Sequence, residues 1–517
     1  MTKQTFIKGA IILLAAGIIN RLLGFVPRIA LPRIIGAEGV GLYQLSFPFL
    51  TVMLTIITGG IPLAVAKWIA EADTQGDSAR VKYIFRAAMG LVVLLGVVMT
   101  GGMLLFAPYI TTNVLPDERV YRTFLSMTPL LLISGVSAVY RGYFQGKQNM
   151  IPGAVSQITE TVLRIIATLT FAYLLLPLGL EWAAAGAMLG VVVGELGGMA
   201  VILWKYYRDK KRVSAEPNAP KPAKERVPVM RRLLNLSVPV TGSRLVGSLS
   251  YLLETIFTAR SLVAAGITAS VATAQYGALQ GMIVPLVLLP TALTYSLAVS
   301  LVPSLSEAAA KGDTALIHKR LHQSMRLSLV SGAPFVVVMA LFAEPICRIL
   351  YDHSAIAPML QLIAPVGIFI YLQAPLQAAL QALDKPGTAL VNTLTGAAVK
   401  LILIIRLASD PDFGIYGALI AINVNIVLVT VLHAISVLRF IGFRMKWLDF
   451  VKVIVAMIIM GAAARFTMDY VPLPAEWINL MLACAAGVVV YLLLMILMKI
   501  IDRHDVVRIP LFGRWFK

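Results

Sequence analysis

Asn20-Arg21-Leu22-Leu23-Gly24-Phe25-Val26-Pro27-Arg28 places two guanidinium groups inside an apolar run that extends from Phe6 to Ile35. The run contains no acid and is long enough to cross a membrane. Arg21 lies thirteen residues beyond Lys8. At 1.5 Å per residue that is about 20 Å, so Arg21 falls near the middle or outer half of a hydrocarbon core about 30 Å thick. A lone arginine there costs about 2.5–3.5 kcal/mol on insertion scales. Such a residue faces a water-filled cavity or a partner. The pattern returns in Ser243-Arg244-Leu245-Val246-Gly247, and Arg231 precedes Arg244 by the same thirteen residues. Two arginines at matching depth in two halves of a chain predict a site between the halves.

Composition agrees with a membrane protein. Of 517 residues, 59% are hydrophobic and 13% charged, a balance foreign to soluble domains. The net charge of +19 raises nucleic acid as a partner. The basic residues, however, sit between apolar runs, where the positive-inside rule expects them. No nucleic-acid-binding module accompanies them.

The fold expected is all-α and polytopic, with fourteen spans near 6–35, 42–67, 84–108, 121–141, 155–177, 182–204, 232–259, 274–304, 326–350, 357–382, 388–408, 413–438, 448–470 and 476–498. Lysine and arginine crowd alternate segments. The opposite segments hold only Arg33, Arg119, Arg122, Arg260 and Arg406. Both termini are therefore expected in the cytoplasm. Residues 209–230 carry lysine, proline and alanine without apolar periodicity, the signature of a flexible cytoplasmic linker. Its basic residues are expected against anionic phospholipid headgroups.

The linker separates two repeats. Glu71-Ala72 followed by Gly76-Asp77 recurs as Glu307-Ala308 followed by Gly312-Asp313; Pro129 recurs as Pro365, Gln145 as Gln381 and Arg164 as Lys400, all at an offset of 236. The division is an N-lobe at 1–208, the linker, a C-lobe at 231–440, and two added helices with a tail at 441–517. Six spans per lobe give both lobes one orientation, related by a pseudo-two-fold axis along the membrane normal.

Seven basic residues fall inside spans (Arg21, Arg28, Arg164, Arg244, Arg348, Lys400 and Arg465) against four acids, Glu160, Glu195, Glu254 and Glu344. The excess is positive, which calls for water or an anionic ligand. Some of it has a plain structural explanation. Glu160 with Arg164 and Glu344 with Arg348 have the spacing of same-helix pairs. Arg28 and Glu254 are at similar depth and suit an interhelical pair. Arg348 and Arg465 are placed to snorkel to an interface.

Gly186, Gly190, Gly194 and Gly198 form a small-xxx-small ladder for close helix packing. His318 and His322 have a helix-face metal spacing but lie beside Lys319 and Arg320, so a solvated face is expected rather than a metal site. Cys347 and Cys484 lack metal spacing and are expected as core thiols. No His-Glu-x-x-His, Gly-x-Ser-x-Gly or P-loop occurs, so neither a catalytic site nor a cofactor is expected.

The opening Asn20-Arg21-Leu22-Leu23-Gly24-Phe25, with Arg28 and Arg33-Ile34-Ile35-Gly36, resembles the MOP superfamily of flippases, chiefly its SpoVB-type polysaccharide or sporulation branch. MurJ-type lipid II flippases are more distant relatives. Leu252-Leu253-Glu254-Thr255, Ala264-Ala265-Gly266 and Val302-Pro303-Ser304-Leu305 extend the resemblance over the seventh and eighth spans. It implies that Arg21 and Arg28 hold the diphosphate of a lipid-linked sugar, and that the two added helices form a groove for the lipid tail. The lipid II flippases also carry arginines on their second and eighth spans. Here Phe47-Pro48-Phe49-Leu50-Thr51-Val52 and Gln275-Tyr276-Gly277-Ala278-Leu279-Gln280 have none, and Arg244 is the candidate to supply that charge.

The function expected is export of an undecaprenyl-diphosphate-linked saccharide across the bacterial cytoplasmic membrane by alternating access, with room for a coupling cation. Arg21, Arg28 and Arg244 are the diphosphate-binding candidates. Asn20, Arg164, Glu254, Arg260 and Lys400 are secondary cavity candidates. A cation-coupled multidrug exporter of the same superfamily is the rival transporter, although its cavity should be acidic. An intramembrane saccharide ligase, or a scaffold for cell-wall or spore assembly, is the rival of another class.

Overall fold

The computed structural model describes residues 6–213, 229–445, 447–471 and 474–500. Every element is helical among them. In chain order they are α1 (Phe6–Leu23), α2 (Phe25–Thr58), α3 (Ile61–Thr74), α4 (Ser78–Tyr109), α5 (Tyr121–Gly146), α6 (Ile151–Leu175), α7 (Leu180–Val213), α8 (Val229–Ala264), α9 (Ala269–Gly277) and α10 (Val284–Leu288). They continue with α11 (Thr291–Ala310), α12 (Thr314–Leu341), α13 (Ala343–Tyr351), α14 (Ala357–Ile363), α15 (Gly367–Ala382), α16 (Pro386–Leu407), α17 (Ile415–Ile441), α18 (Trp447–Tyr470) and α19 (Glu476–Leu497). The expected linker is narrowed by helix at both ends, and its middle, 214–228, lies outside the described residues, as does the tail 501–517.

Twelve stretches among the described residues are long and apolar enough to cross a membrane. The difference from fourteen has two local causes. The first two expected spans merge into Ala15–Thr74, which is 60 residues long and far exceeds one crossing. The expected seventh span, α8, is not among the twelve; Arg231, Arg232, Arg244, Glu254 and Arg260, with several serines, make it too polar. Within Ala15–Thr74 the chain is bent at Gly36, whose φ of 67° is a left-handed value that favours glycine.

The chain packs as two compact units, Met1–Met282 and Ile283–Lys517. In the first, α2, α3, α4, α5 and α7 enclose a core that includes Leu42, Leu45, Ile57, Ile69, Phe124 and Met188. The glycine ladder works as a packing device. A Cβ on Gly186 would come 2.7 Å from the Phe171 carbonyl oxygen, and one on Gly194 2.5 Å from Cβ of Arg164. This lets Ser156 Oγ donate to the Gly198 carbonyl at 2.8 Å, joining α6 to α7.

Two charged clusters lie at opposite ends of α5, which spans about 39 Å. Beside its start, Arg119 pairs with Glu38 at 2.7 Å and Asp117 at 2.8 Å, and Arg122 pairs with Glu181 at 2.9 Å. Beyond its end, Lys147 pairs with Asp73 at 2.5 Å. Near Asp73 on α3, Glu71 pairs with Arg80 at 2.8 Å and with Arg232 at 3.6 Å.

In the second unit, α11 and α12 pack on α15, α16 lies along α17, and α18 with α19 covers α12. Tyr491 of α19 is fully buried and donates to the Val330 carbonyl at 3.2 Å.

The repeat is visible in the backbone of the two units. Gly76 (φ 71°) precedes the cap Asp77, which accepts from Arg80 N at 2.8 Å; Gly312 (φ 67°) precedes Asp313, which accepts from Leu316 N at 2.9 Å. Gln148 (φ 55°) after α5 matches Asp384 (φ 56°) after α15, again 236 residues apart.

Candidate functional site

The first-span arginines sit on an almost unbroken helix. Gly24 N–H donates to the Asn20 carbonyl at 2.9 Å, so the helical path runs through the α1/α2 junction. Arg21 and Arg28 are seven residues apart, two turns on one face. Both are exposed. The Arg28 guanidinium stands 5.9 Å from the Phe25 ring centroid. Beside Arg21, the buried Oδ1 of Asn20 has no hydrogen-bond partner.

Two tyrosines tie these residues to others in the first unit. Tyr43 is within electrostatic range of both Arg28 and Arg164. Tyr251 of α8 is within range of Arg28 and Glu254. Glu254 is buried and accepts from Gln280 Nε2 at 3.2 Å. Near it, the Tyr276 and Thr255 hydroxyls share a 2.7 Å hydrogen bond. Arg244 is exposed on α8, about 15 Å along the helix from Glu254.

Two secondary candidates are placed elsewhere. Arg260 donates to the Asn113 carbonyl, at the end of α8 remote from Arg232. Lys400 lies in the second unit, 9% exposed on α16.

Sequence reading missed one member of the polar interior. Arg141, the last residue of an expected span, donates to Glu195 and stands 3.5 Å from Glu160. Arg164 pairs with Glu160 at 3.4 Å, the expected same-helix contact. The four charges come from α5, α6 and α7. No local pattern marks Arg141, whose acids lie 19 and 54 residues away in sequence. The ladder glycines make the cluster possible, because Gly194 lies against Arg164 and Gly198 against Glu160.

The expected Glu344–Arg348 pair forms at 3.6 Å, and Arg348 also pairs with Glu476. Arg465 pairs with Asp469 at 3.0 Å. The expected solvated face of His318 and His322 is corrected. His318 Nε2 hydrogen-bonds the Ile441 carbonyl at 2.7 Å, and His322 Nε2 meets Asp449 at 2.9 Å. Both rings are half-buried, His318 against the end of α17 and His322 against the start of α18. Cys347 and Cys484 are free thiols. Among the described residues no group of three or more His, Cys, Asp or Glu could hold a metal.

Long apolar helices that carry arginines exposed within their spans define a multi-pass membrane transporter. Residues 6–309 match the family described as polysaccharide biosynthesis protein. The chain belongs to that family. Stage V sporulation protein B of Bacillus subtilis (strain 168) is 39% identical over 515 residues, 99% of each chain. Lipid II flippase MurJ of the same organism is 27% identical over 475 residues, 88% of this chain and 86% of that one. The fold matches a solved structure of lipid II flippase MurJ in an inward closed conformation, with a TM-score of 0.72 at 15% identity, covering 94% of this chain and 99% of that one. The protein is a multi-pass protein of the bacterial plasma membrane.

Proposed function

We propose that the protein is a flippase of the MOP superfamily that moves an undecaprenyl-diphosphate-linked saccharide from the cytoplasmic to the outer leaflet by alternating access. Family membership supports the lipid-linked saccharide as substrate. The observation that carries the diphosphate is the exposure of Arg21, Arg28 and Arg244 on long helices of one unit. Guanidinium groups bind phosphate oxygens with two parallel bonds that lysine cannot reproduce. The prenyl tail stays in lipid, with α18 and α19 as its groove. Fourteen spans, both termini in the cytoplasm and the linker lying on anionic headgroups complete the reading.

Glu254, buried beside Gln280, is the observation that favours the second reading, a cation-coupled exporter of the same superfamily. Three exposed arginines against one buried acid favour the anion. No catalytic step is assigned to any residue. The test is rescue of a bacterial strain depleted of its lipid II flippase, together with transport of a fluorescent prenyl-diphosphate saccharide in vesicles. Rescue or transport lost on Arg21→Ala supports the reading. Vesicles of well-folded protein that export a cationic dye and ignore the prenyl diphosphate would favour the rival.

A further inference from the structure

The charges buried among α5, α6 and α7 balance only while Arg164 stays with Glu160. Two carboxylates, Glu160 and Glu195, face two guanidinium groups, and the cluster is neutral. Its members are not equally held. Arg141 touches both acids. Arg164 reaches Glu160 and Thr161 at 3.4 Å each, long for charge-assisted hydrogen bonds. The Arg164 side chain is 34% exposed, whereas those of Glu160 and Glu195 are 14% and 10% exposed. Arg164 is also the member within range of Tyr43, which Arg28 shares.

The groups that act on Glu160 are Glu195 from α7, Arg141 from α5 and Arg164 from its own helix. Helices α1 and α2 also pack on α6. The charged and titratable groups these two helices carry include Arg21, Arg28, Arg33, Glu38 and Tyr43.

We propose that the Glu160–Glu195 pair is a proton-binding site loaded by the substrate: an anionic headgroup draws the partly exposed Arg164 off Glu160, and one proton from water joins the carboxylate pair. This rests on the reading that the substrate is an anion. With Arg164 engaged elsewhere, two carboxylates share one guanidinium, and the buried cluster carries one uncompensated negative charge. A charge left unpaired in a low-dielectric interior is strongly unfavourable, and two adjacent carboxylates relieve it by sharing a proton. Release of the headgroup returns Arg164 to Glu160 and expels the proton. Headgroup and proton then load and unload together, so the buried cluster stays neutral whether or not Arg164 is engaged by the headgroup.

The test uses purified full-length protein with farnesyl diphosphate as the probe. Binding is followed by calorimetry, and proton uptake by an indicator dye in weak buffer. The wild type should take up about one more proton per bound probe than Glu160→Gln or Glu195→Gln, a difference that cancels protons belonging to the probe. Arg164→Gln should bind more weakly and show no uptake, because its pair is already protonated. Infrared difference spectra provide a readout that does not need the glutamine variants to fold. A protonated-carboxyl band should appear in the wild type when the probe binds, and should already be present in Arg164→Gln without it. Probe binding by the wild type with neither extra uptake nor a carboxyl band overturns the coupling and leaves the anionic substrate standing. Wild-type protein that does not bind the probe overturns both.

Discussion

Gly41 and Gly277 hold equivalent places 236 residues apart, and they pack directly against each other. A Cβ on Gly277 would overlap the backbone nitrogen of Gly41 and the Ala37 carbonyl; one on Gly41 would overlap the Thr273 carbonyl. Helices α2 and α9 approach so closely only because neither residue has a side chain. Gly41→Val and Gly277→Val should each destabilise the protein by about 1–3 kcal/mol, the usual cost of overpacking. Gly90→Ala, with nothing within 4 Å of the new atom, should be close to neutral. Thermal melting in detergent checks all three, and equal melting temperatures for Gly277→Val and the parent would contradict the contact.

Arg141 holds two acids at once. Removing it leaves Glu195 and Glu160 buried with only the weaker Arg164 contact. Arg141→Ala should cost about 3–5 kcal/mol, the range for breaking a buried ion pair from one side. The double variant Arg141→Ala, Glu195→Ala should lose less than the sum of its singles, because the second change removes the stranded charge. Denaturant or thermal unfolding of the four proteins measures this, and strict additivity would mean the residues do not act on each other.

Arg21 and Arg244 are expected to grip one diphosphate. Arg21→Ala and Arg244→Ala should each weaken farnesyl diphosphate binding by more than about 1.4 kcal/mol, tenfold in Kd. Arg21→Lys should retain part of the affinity, since it keeps the charge and loses the fork. The double alanine variant should depart from additivity. If both singles fold and bind like the parent, the diphosphate lies elsewhere.

Asp117 links the turn before α5 to α9. Burial alone would push its carboxyl pKa up, but hydrogen bonds from Arg119 and from Thr273 Oγ1, the latter at 2.8 Å, outweigh burial and hold it below the usual carboxylate value. A group whose folded pKa is depressed stabilises the protein above its unfolded pKa of about 3.9, and that stability is lost as pH falls through the folded value. At neutral pH Asp117→Asn should melt below the parent, and the gap should close as pH drops below about 4. A gap that stays constant down to strongly acid pH would show that the carboxylate charge is not what stabilises.

Orientation has its own test. Arg119, Arg122 and Arg260, all expected outside, meet their partners at the same end of the first unit. A cysteine at Ser354 should react with an impermeant thiol reagent in intact cells, and one at Ser214 only after lysis. The reverse pattern would turn the protein over in the membrane.

Much of this protein was legible along the chain, because the signals are local. Apolar runs locate the helices, and a 236-residue offset exposes the repeat. Gly76-Asp77 and Gly312-Asp313, markers of the repeat along the chain, are both helix starts in the structure, because an aspartate after a left-handed glycine can cap the helix that follows. Glu160–Arg164 and Glu344–Arg348 were readable for the same reason, since four residues on a helix are one turn. The rest depends on how each helix is rotated and which neighbour it meets. Arg141 carries no local mark at the end of its span, and only the packing of α5 against α6 and α7 brings it between two acids. His318 and His322 looked solvated until the segment after α17 covered them. The sequence repeat divides at the linker, whereas packing carries α8 and α9 into the first unit, because glycine contacts between distant segments leave no periodic trace. Apolar runs predict which arginines lie within spans; the tertiary structure decides that Arg141 sits between Glu160 and Glu195 while Arg260 donates to the Asn113 carbonyl, because side-chain neighbours across helices are a property of register and rotation.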